Sequence, residues 1–266
     1  MTTKQAFPTI ESLGADLGPA IARHLEATFR SILDGPDATR EAGFVQLVTG
    51  TMHPFGNFLV VSKASELDPV ARGIDKLCGV AAPSAVIVPG KTPAALEALL
   101  TSKGFGLAEE MPAMAVDLDE VTSTALPSGY VFKEVGVDAD DVWCEAMARG
   151  YEIPREAADA FGPRAAQGAG PACRTHYYAI EKDGRCVATS TLVLVNGLAG
   201  IYCVATLPDE RRKGLGAHAT AKALEYAKSL GFRTGVLQSS QMGHGVYERL
   251  GFKTHGGVPL YVRMPG

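Results

Sequence analysis

The chain has 266 residues, of which 46% are hydrophobic and 20% are charged, and this composition is typical of a globular protein. A net charge of −4 argues against a protein that binds nucleic acid by neutralising phosphates, and no apolar run reaches the roughly 18 residues of a membrane span. The five cysteines form no C-x-x-C pair, no His/Cys cluster has metal-ligand spacing, and the first residues lack a secretory signal pattern. We therefore expect a cytoplasmic protein with reduced thiols and no metal.

The first 120 residues alternate between helical and strand-like patterns. Apolar residues at helical spacing predict a helix over 16–33, which ends at Gly35-Pro36. Thr92-Pro93 is typical of a capped helix start. The other predicted elements are strands over 44–48 and 58–61, a helix over 66–77, a strand over 85–88, a helix from 92 to about 102 and a strand over 114–118.

Residues 121–129 are small, polar and proline-containing, so we expect domains over 1–122 and 128–266. The clearest pattern of the second domain is an antiparallel meander of strands over 177–182, 186–195 and 199–206. Asp183-Gly184 and Asn196-Gly197 predict its turns, because both dipeptides accept the positive φ angles of tight hairpins. The other predicted elements are a strand over 130–135, helices over 140–149, 213–230 and 243–250, a helix with a mobile loop over 154–175, and strands over 235–238 and 259–263.

The two halves repeat one another at an offset of 147 residues. Gly104-Phe105 and Gly251-Phe252 each end a predicted helix that follows a short strand, and each precedes a proline and a further strand. We interpret this order as a tandem duplication of one α/β unit.

The sharpest motif connects the strand over 199–206 to the following helix. Residues 211–217 read Arg-Arg-Lys-Gly-Leu-Gly-Ala, so two glycines leave main-chain N–H groups uncovered where the helix begins. These groups lack internal hydrogen-bond partners and lie at the positive end of the helix dipole. A phosphate can accept their hydrogen bonds, and its negative charge is favoured there. Three basic side chains at this helix end cost roughly 0.3–1 kcal/mol each, which a polyanionic ligand relieves. The pattern favours a phosphate-binding loop over a solvated basic turn.

Two competing motifs fail. Gly214-x-Gly216-x-x-Ala219 fits the dinucleotide fingerprint, but residues 207–213 separate it from the strand and no acidic residue ends the next strand. Gly90-Lys91-Thr92 lies between a strand and a helix as in a P-loop, but Ala85 stands where that motif needs its first glycine.

Two segments resemble the signature regions of the GNAT superfamily of N-acetyltransferases. Residues 204–216, which read V-x-T-x-P-x-x-R-x-x-G-x-G, resemble its acetyl-CoA motif, and residues 237–252 resemble its second signature region. The resemblance covers about 129–266 and implies tandem units, each with a mixed, mostly antiparallel sheet flanked by helices. The N-terminal half resembles a degenerate copy, because residues 64–69 replace the glycine motif with two carboxylates and no glycine. We therefore expect one cofactor site.

The resemblance implies that acetyl-CoA binds in the C-terminal half. The N–H groups from Arg212 to Ala217 then bind the pyrophosphate, and the backbone of Val204 to Thr206 pairs with the pantetheine arm. Tyr247 matches the tyrosine that protonates the departing thiolate in many members, and its alternative role is packing under a helix. Ser240 bonds the pantetheine or the tyrosine, or caps a helix. The expected cofactor-binding residues are Val204, Ala205, Thr206, Arg211, Arg212, Lys213, Gly214, Leu215, Gly216, Ala217 and Ser240.

No motif identifies the base that deprotonates the acceptor. Many relatives use a glutamate on the strand before the glycine motif, where this chain has no carboxylate over 200–203. Tyr202, Glu181, His176 or an ordered water remain as alternatives.

The first domain is expected to wall one side of the acceptor pocket, with residues 154–175 as a flap. His53, Phe55 and Asn57 lie on a predicted turn that can reach this pocket, and the alternative is a plain hairpin with a hydrogen-bonded histidine. The sequence thus predicts an N-acetyltransferase that moves acetyl from acetyl-CoA to an amine of a small molecule or peptide by direct attack. A non-catalytic acyl-CoA-binding sensor and a partner-binding module are the alternatives.

Overall fold

The computed structural model describes residues 7–33, 35–122, 124–168 and 172–265, which form one sheet with helices on both faces. The strands are β1 (Ala38–Glu41), β2 (Phe44–Val48), β3 (Asn57–Val61), β4 (Ser84–Ile87), β5 (Gly106–Asp117), β6 (Tyr130–Val135), β7 (Arg174–Lys182), β8 (Arg185–Val195), β9 (Leu198–Thr206), β10 (Thr234–Gln238) and β11 (Lys253–Arg263). The helices are α1 (Ile10–Leu13), α2 (Leu17–Ile32), α3 (Leu67–Cys78), α4 (Ala94–Ser102), α5 (Asp140–Tyr151), α6 (Arg155–Ala158), α7 (Leu215–Ser229) and α8 (Gln241–Arg249).

The sheet joins the two halves of the chain. Its order is β1-β2-β3-β4-β11-β5-β10-β9-β8-β7-β6. The pairs β3–β4 and β9–β10 are parallel and the other neighbours are antiparallel, so the predicted mixed, mostly antiparallel sheet is confirmed. The last strand of each half is exchanged, because β5 pairs with β10 and β11 pairs with β4. We call the sheet end at which β9 and β10 finish, and β3 and β5 begin, the upper end.

The predicted repeat has a local physical cause. The order β3-α3-β4-α4-β5 recurs as β9-α7-β10-α8-β11. Gly104 and Gly251 end α4 and α8 with φ angles of 81° and 101°, which glycine adopts without strain. The following amides, of Phe105 and Phe252, each donate to the carbonyl five residues back at 3.0 Å.

The core lies in layers on both faces of the sheet. Helices α2 and α5 cover one face, and Ile21 and Trp143 there are both fully buried. On the other face, α3 and α4 cover the N-terminal half and α7 covers the C-terminal half. Each fully buried side chain of this kind contributes about 1.5–3 kcal/mol. Because α2 packs against strands of both halves, it ties them together.

The local predictions differ in outcome. Both hairpin turns are confirmed, since Asp183, Gly184, Asn196 and Gly197 all have φ angles between 51° and 78°. The predicted cap at Thr92 is wrong: the extended Pro93 occupies the cap position of α4 and no side chain caps the helix. The segment 154–175 contains α6 and short 3-10 turns, and its residues 169–171 lie outside the described residues. No helix of the described chain is long and apolar enough to cross a bilayer.

Candidate active site

Strands β9 and β10 diverge towards the upper end of the sheet. They pair only at their lower ends, where Gly235 and Val236 lie opposite Ala199 and Gly200. Above that point β9 contains a bulge, because its register against β8 shifts and Cys203 has a φ angle of 50°. A bulge bends a strand and leaves a residue outside the ladder. We call the resulting gap the β9–β10 cleft; Val204, Ala205 and Thr206 lie along its β9 edge.

The loop between β9 and α7 presents a row of free main-chain donors beside this cleft. Residues Arg212, Lys213, Gly214, Leu215, Gly216 and Ala217 have N–H groups that no described residue accepts in normal hydrogen-bond geometry. The first amide of the helix with a partner is that of His218, which donates to the Gly214 carbonyl at 2.9 Å. Arg212 and Gly214 are left-handed, with φ angles of 64° and 79°. Such turns gather successive N–H groups into a concave anion site.

The three basic side chains of the loop have different environments. Arg211 Nη2 donates to the Gly150 carbonyl at 2.8 Å and contacts Glu152 Oε1 at 2.9 Å, so this side chain fastens the loop to the end of α5. Lys213 Nζ contacts Glu210 Oε2 at 2.6 Å. The Lys213 ammonium and the Tyr130 hydroxyl lower the pKa of Glu210 to about 2. Arg212 is exposed and has no side-chain partner among the described residues, which leaves one uncompensated cation at the loop.

The two glycines of the motif serve different purposes. A Cβ on Gly214 would meet nothing within 4 Å, so this left-handed residue borders open space. A Cβ on Gly216 would lie 3.4 Å from Val204 Cγ1, which shows how closely the start of α7 approaches β9. Leu215, between the two glycines, is buried and anchors the helix start.

Tyr247 lies on α8, the helix that follows β10. Its ring contacts Phe252 edge-on, with centroids 5.9 Å apart, and its partly buried side chain belongs to the core on the α7 face. A Cβ on Gly243 would lie 3.0 Å from Tyr247 Cε2, so that glycine makes room for the ring. Burial raises the pKa of Tyr247, and its hydroxyl has no hydrogen-bond partner among the described residues. The group therefore keeps its proton at neutral pH and is free to donate it.

The end of β10 carries polar groups without partners. The side-chain amide atoms of Gln238 and the hydroxyl of Ser239 are buried and unbonded within the described chain. Buried polar groups without a partner are exceptional in proteins, and a water or a ligand group can satisfy them. Ser240 accepts the Gly243 amide at 3.3 Å, so in this structure it caps α8.

The structure does not bring the three proposed bases together at the cleft. Glu181 and His176 lie on β7, where their partners are Lys133 at 2.7 Å and Glu134 at 2.8 Å. β8 separates that strand from β9. Tyr202 lies on β9, but its hydroxyl is 2.8 Å from Nδ1 of His24, and burial raises the pKa of Tyr202.

His24 was not singled out from the sequence. It lies on α2, is fully buried and contacts the Val193 carbonyl through Nε2 at 3.2 Å, so Nδ1 accepts the Tyr202 proton. Burial lowers the pKa of His24 to about 4, which keeps the ring neutral. The available signal was a histidine on the apolar face of a predicted helix.

The turn before β3 also lies at the upper end. Asn57 is fully buried, and its amide donates to the Thr51 and Pro83 carbonyls at 2.7 and 3.1 Å. His53 Nδ1 accepts the Phe55 amide at 3.1 Å. Both polar side chains therefore serve the turn itself, as in the plain-hairpin alternative, whereas the Phe55 ring reaches the C-terminal half.

Metal and thiol chemistry have no visible support in the part of the chain that the structure describes. No group of three His, Cys, Asp or Glu side chains there has the placement of a metal site. Cys203 lies at the bulge, but burial raises the pKa of its thiol to about 12, so it is a poor nucleophile.

Comparison with known proteins agrees with this geometry. Residues 142–252 match the Acetyltransferase (GNAT) family model. The structure is similar to a GCN5-related N-acetyltransferase from Kribbella flavida (20% identity, TM-score 0.63, covering 92% of this chain and 96% of that one). It is also similar to a tandem GNAT protein from the clavulanic acid biosynthesis pathway (14%, 0.57, 98% of both chains) and to a GCN5-related N-acetyltransferase from Sphaerobacter thermophilus (16%, 0.56, 97% and 94%). No curated protein matches the sequence.

The chain therefore has the tandem GNAT fold that the resemblance predicted. Residues 142–252, which match that family model, contain the cleft, the free amides and Tyr247.

Proposed function

We propose that this protein transfers the acetyl group of acetyl-CoA to an amine of a small molecule or peptide. The observation that carries the proposal is the row of six free N–H groups from Arg212 to Ala217 beside the β9–β10 cleft. Acetyl-CoA, when bound, supplies an acetyl group activated as a thioester.

The loop fits a diphosphate in three respects. Its free amides point outwards at the positive end of the α7 dipole, which favours an anion. Arg212 adds a cation without an internal partner. Gly214 borders open space, since a Cβ there would meet nothing within 4 Å. Arg211 and Lys213 support this site indirectly, because their partners hold the loop in shape.

The cleft fits the remaining tasks. The β9 edge above Gly200 has no partner strand on its β10 side, so the backbone of Val204 to Thr206 can pair with an extended amide chain. Tyr247 holds a proton on a free hydroxyl and can donate it to a leaving sulfur. The high pKa of Cys203 supports direct attack by the amine over a thiol-bound intermediate.

A non-catalytic acyl-CoA sensor is the second candidate, because one observation favours it. Strand β9 carries no carboxylate, and the Tyr202 hydroxyl is occupied by His24. In that case the protein binds acetyl-CoA and no residue of β9 deprotonates an amine.

The deciding experiment measures CoA release from acetyl-CoA in the presence of a panel of primary amines. Amine-dependent release, with the acetylated amine detected by mass spectrometry, supports the acetyltransferase. Tight acetyl-CoA binding with no amine-dependent release supports the sensor, and absence of binding contradicts both.

A further inference from the structure

Five aromatic rings meet where the two halves touch at the upper end of the sheet, and we call them the interhalf aromatic cluster. The N-terminal half contributes Phe29, Phe55 and Phe58, and the C-terminal half contributes Tyr151 and Phe161. Phe58 stacks on Phe161 with centroids 5.9 Å apart, and Phe55 lies edge-on against Phe161 at 6.3 Å and Tyr151 at 6.4 Å.

The cluster has a buried base and an exposed tip. Phe58 and Phe161 are 2% and 8% exposed, so they belong to the core between the halves. Phe55 is partly buried, whereas Tyr151 is 40% exposed. The exposure of Tyr151 therefore leaves part of the Tyr151–Phe55 pair open to solvent.

The exposed tip lies beside the β9–β10 cleft. Tyr151 follows Gly150, whose Cβ, if present, would lie 2.8 Å from Ala205 Cβ and 3.0 Å from Thr206 N. The bond from Arg211 to the Gly150 carbonyl holds this turn of α5 against β9. Burial of the Tyr151 hydroxyl raises its pKa, and Cys203 and Tyr247 lie near enough to add to the shift. Tyr151 thus lies near the bulge and contacts the N-terminal half through Phe55.

The acidic side chain next to the tip already has a cationic partner. Glu152, which follows Tyr151, pairs with Arg211 at 2.9 Å. Asp159, two residues before Phe161, shares Arg155 with Asp141 and Glu145. The contact that Tyr151 itself offers is an aromatic ring.

We propose that Phe55 and Tyr151 form an apolar wall of the acceptor site, and that they select amines with an aromatic or aliphatic body over polycationic amines. This proposal rests on the proposed function and names its acceptor class. Aromatic contacts contribute about 0.5–1.5 kcal/mol beyond the area they bury, and an ammonium gains further from an adjacent ring face.

The test compares 2-phenylethylamine with spermidine as acceptors for the wild type and for Phe55→Ala and Tyr151→Ala. Each alanine variant is expected to lower the ratio of kcat/KM for 2-phenylethylamine over spermidine at least about tenfold, mainly through KM. Tyr151→Phe keeps the ring and is expected to stay within about twofold. Tyr226→Ala is the matched control, since Tyr226 is 37% exposed but lies on α7 against His176.

Calorimetry of 2-phenylethylamine with the CoA-bound protein gives a readout that does not depend on turnover. Preference of the wild type for spermidine contradicts the proposed apolar wall. Unchanged selectivity and affinity in the alanine variants would also contradict it. If the wild type acetylates no amine, the proposed function is wrong. The apolar wall is then tested by the affinity for 2-phenylethylamine alone. Loss of 2-phenylethylamine affinity in Tyr151→Ala then supports it, and an unchanged or undetectable wild-type affinity overturns it.

Discussion

The loops that follow β3 and β9 occupy equivalent places in the two halves, yet only the C-terminal loop combines free amides with open space and an uncompensated cation. In the C-terminal loop six consecutive N–H groups lack a partner within the described residues. In the N-terminal loop, the Gly43 carbonyl accepts the amides of Ser62 at 2.9 Å and Lys63 at 3.3 Å, and the Glu66 amide donates to Lys63. Three amides of the N-terminal loop are thus used by the chain itself, whereas those of Ala64, Ser65, Leu67 and Asp68 have no partner among the described residues.

Space and charge show the same contrast. A Cβ on Gly43 would lie 3.2 Å from Val70 and 3.3 Å from Pro69, so the β1–β2 turn occupies the space next to the start of α3. Glu66 and Asp68 lie at the start of that helix, where Arg212 and Lys213 stand in the other half. Leu100 replaces Tyr247 as the acceptor of the helix-ending amide. One backbone plan therefore favours an anion site only where open space and positive charge accompany the free amides.

The largest effect is expected from Gly214→Val. The new side chain would enter the open space beside the loop of free amides and would also strain a residue with a φ angle of 79°. Loss of about two charge-assisted hydrogen bonds, at 1.5–3 kcal/mol each, lowers acetyl-CoA affinity roughly 1,000-fold. Calorimetry measures it, and Gly90→Val is the control, since Gly90 has a φ of 92° and equally open surroundings. Normal affinity in Gly214→Val contradicts the loop assignment.

Tyr247→Phe tests the residue that Leu100 replaces in the other half. Removal of the free hydroxyl is expected to lower kcat about 100-fold, at the low end for a general acid, because its raised pKa makes it a weak donor. The acetyl-CoA dissociation constant should change little. Steady-state kinetics and calorimetry separate the two effects, with Tyr226→Phe as the control. Unchanged kcat removes Tyr247 from the chemistry.

The His24–Tyr202 contact joins the halves, and its effect is expected to depend on pH. The pKa of His24 is about 4 when folded and near 6.5 when unfolded, so the unfolded chain binds the proton more readily between these values. Neutral His24 therefore stabilises the fold fully above about pH 6.5, and this contribution to the free energy of unfolding is lost as the pH falls towards 4. Urea unfolding should show that the wild type loses about 2 kcal/mol more than His24→Gln between pH 7 and pH 5. Equal losses contradict this role.

The smallest effect is expected when one basic side chain is removed from each loop in turn. Arg212→Ala removes the cation without an internal partner and is expected to weaken acetyl-CoA binding about tenfold, equivalent to one modest charge-assisted hydrogen bond. Lys63→Ala is the control, because Lys63 lies in the N-terminal loop and pairs with Glu66 at 2.5 Å. Titrations at low and high salt should show the difference shrinking as ionic strength rises. Equal affinities for the two variants count against Arg212 as a ligand.

Features determined by neighbouring residues could be predicted from the sequence. The turn at Asn196-Gly197 and the helix end at Gly251 both need positive φ angles, which these residues accept cheaply. The free amides before α7 were expected for the same local reason. β1 was missed because its four residues, Ala-Thr-Arg-Glu, carry no alternation of apolar and polar side chains.

Features that depend on distant partners could not be predicted. Nothing in β5 or β11 indicates which half each strand joins, so the exchange that pairs Leu237 with Met114 has no local signal. Arg211 was expected to face phosphate, whereas its partners Gly150 and Glu152 are about 60 residues away in the chain. Tyr151 was likewise missed, because its contact with Phe55 spans both halves.

The most direct test is calorimetric titration of the wild-type protein with acetyl-CoA. The contrast between the two loops predicts one molecule bound per chain, with saturable heat that disappears in Gly214→Val. A silent titration, or two equivalent molecules per chain, contradicts the claim that the C-terminal loop alone forms the site.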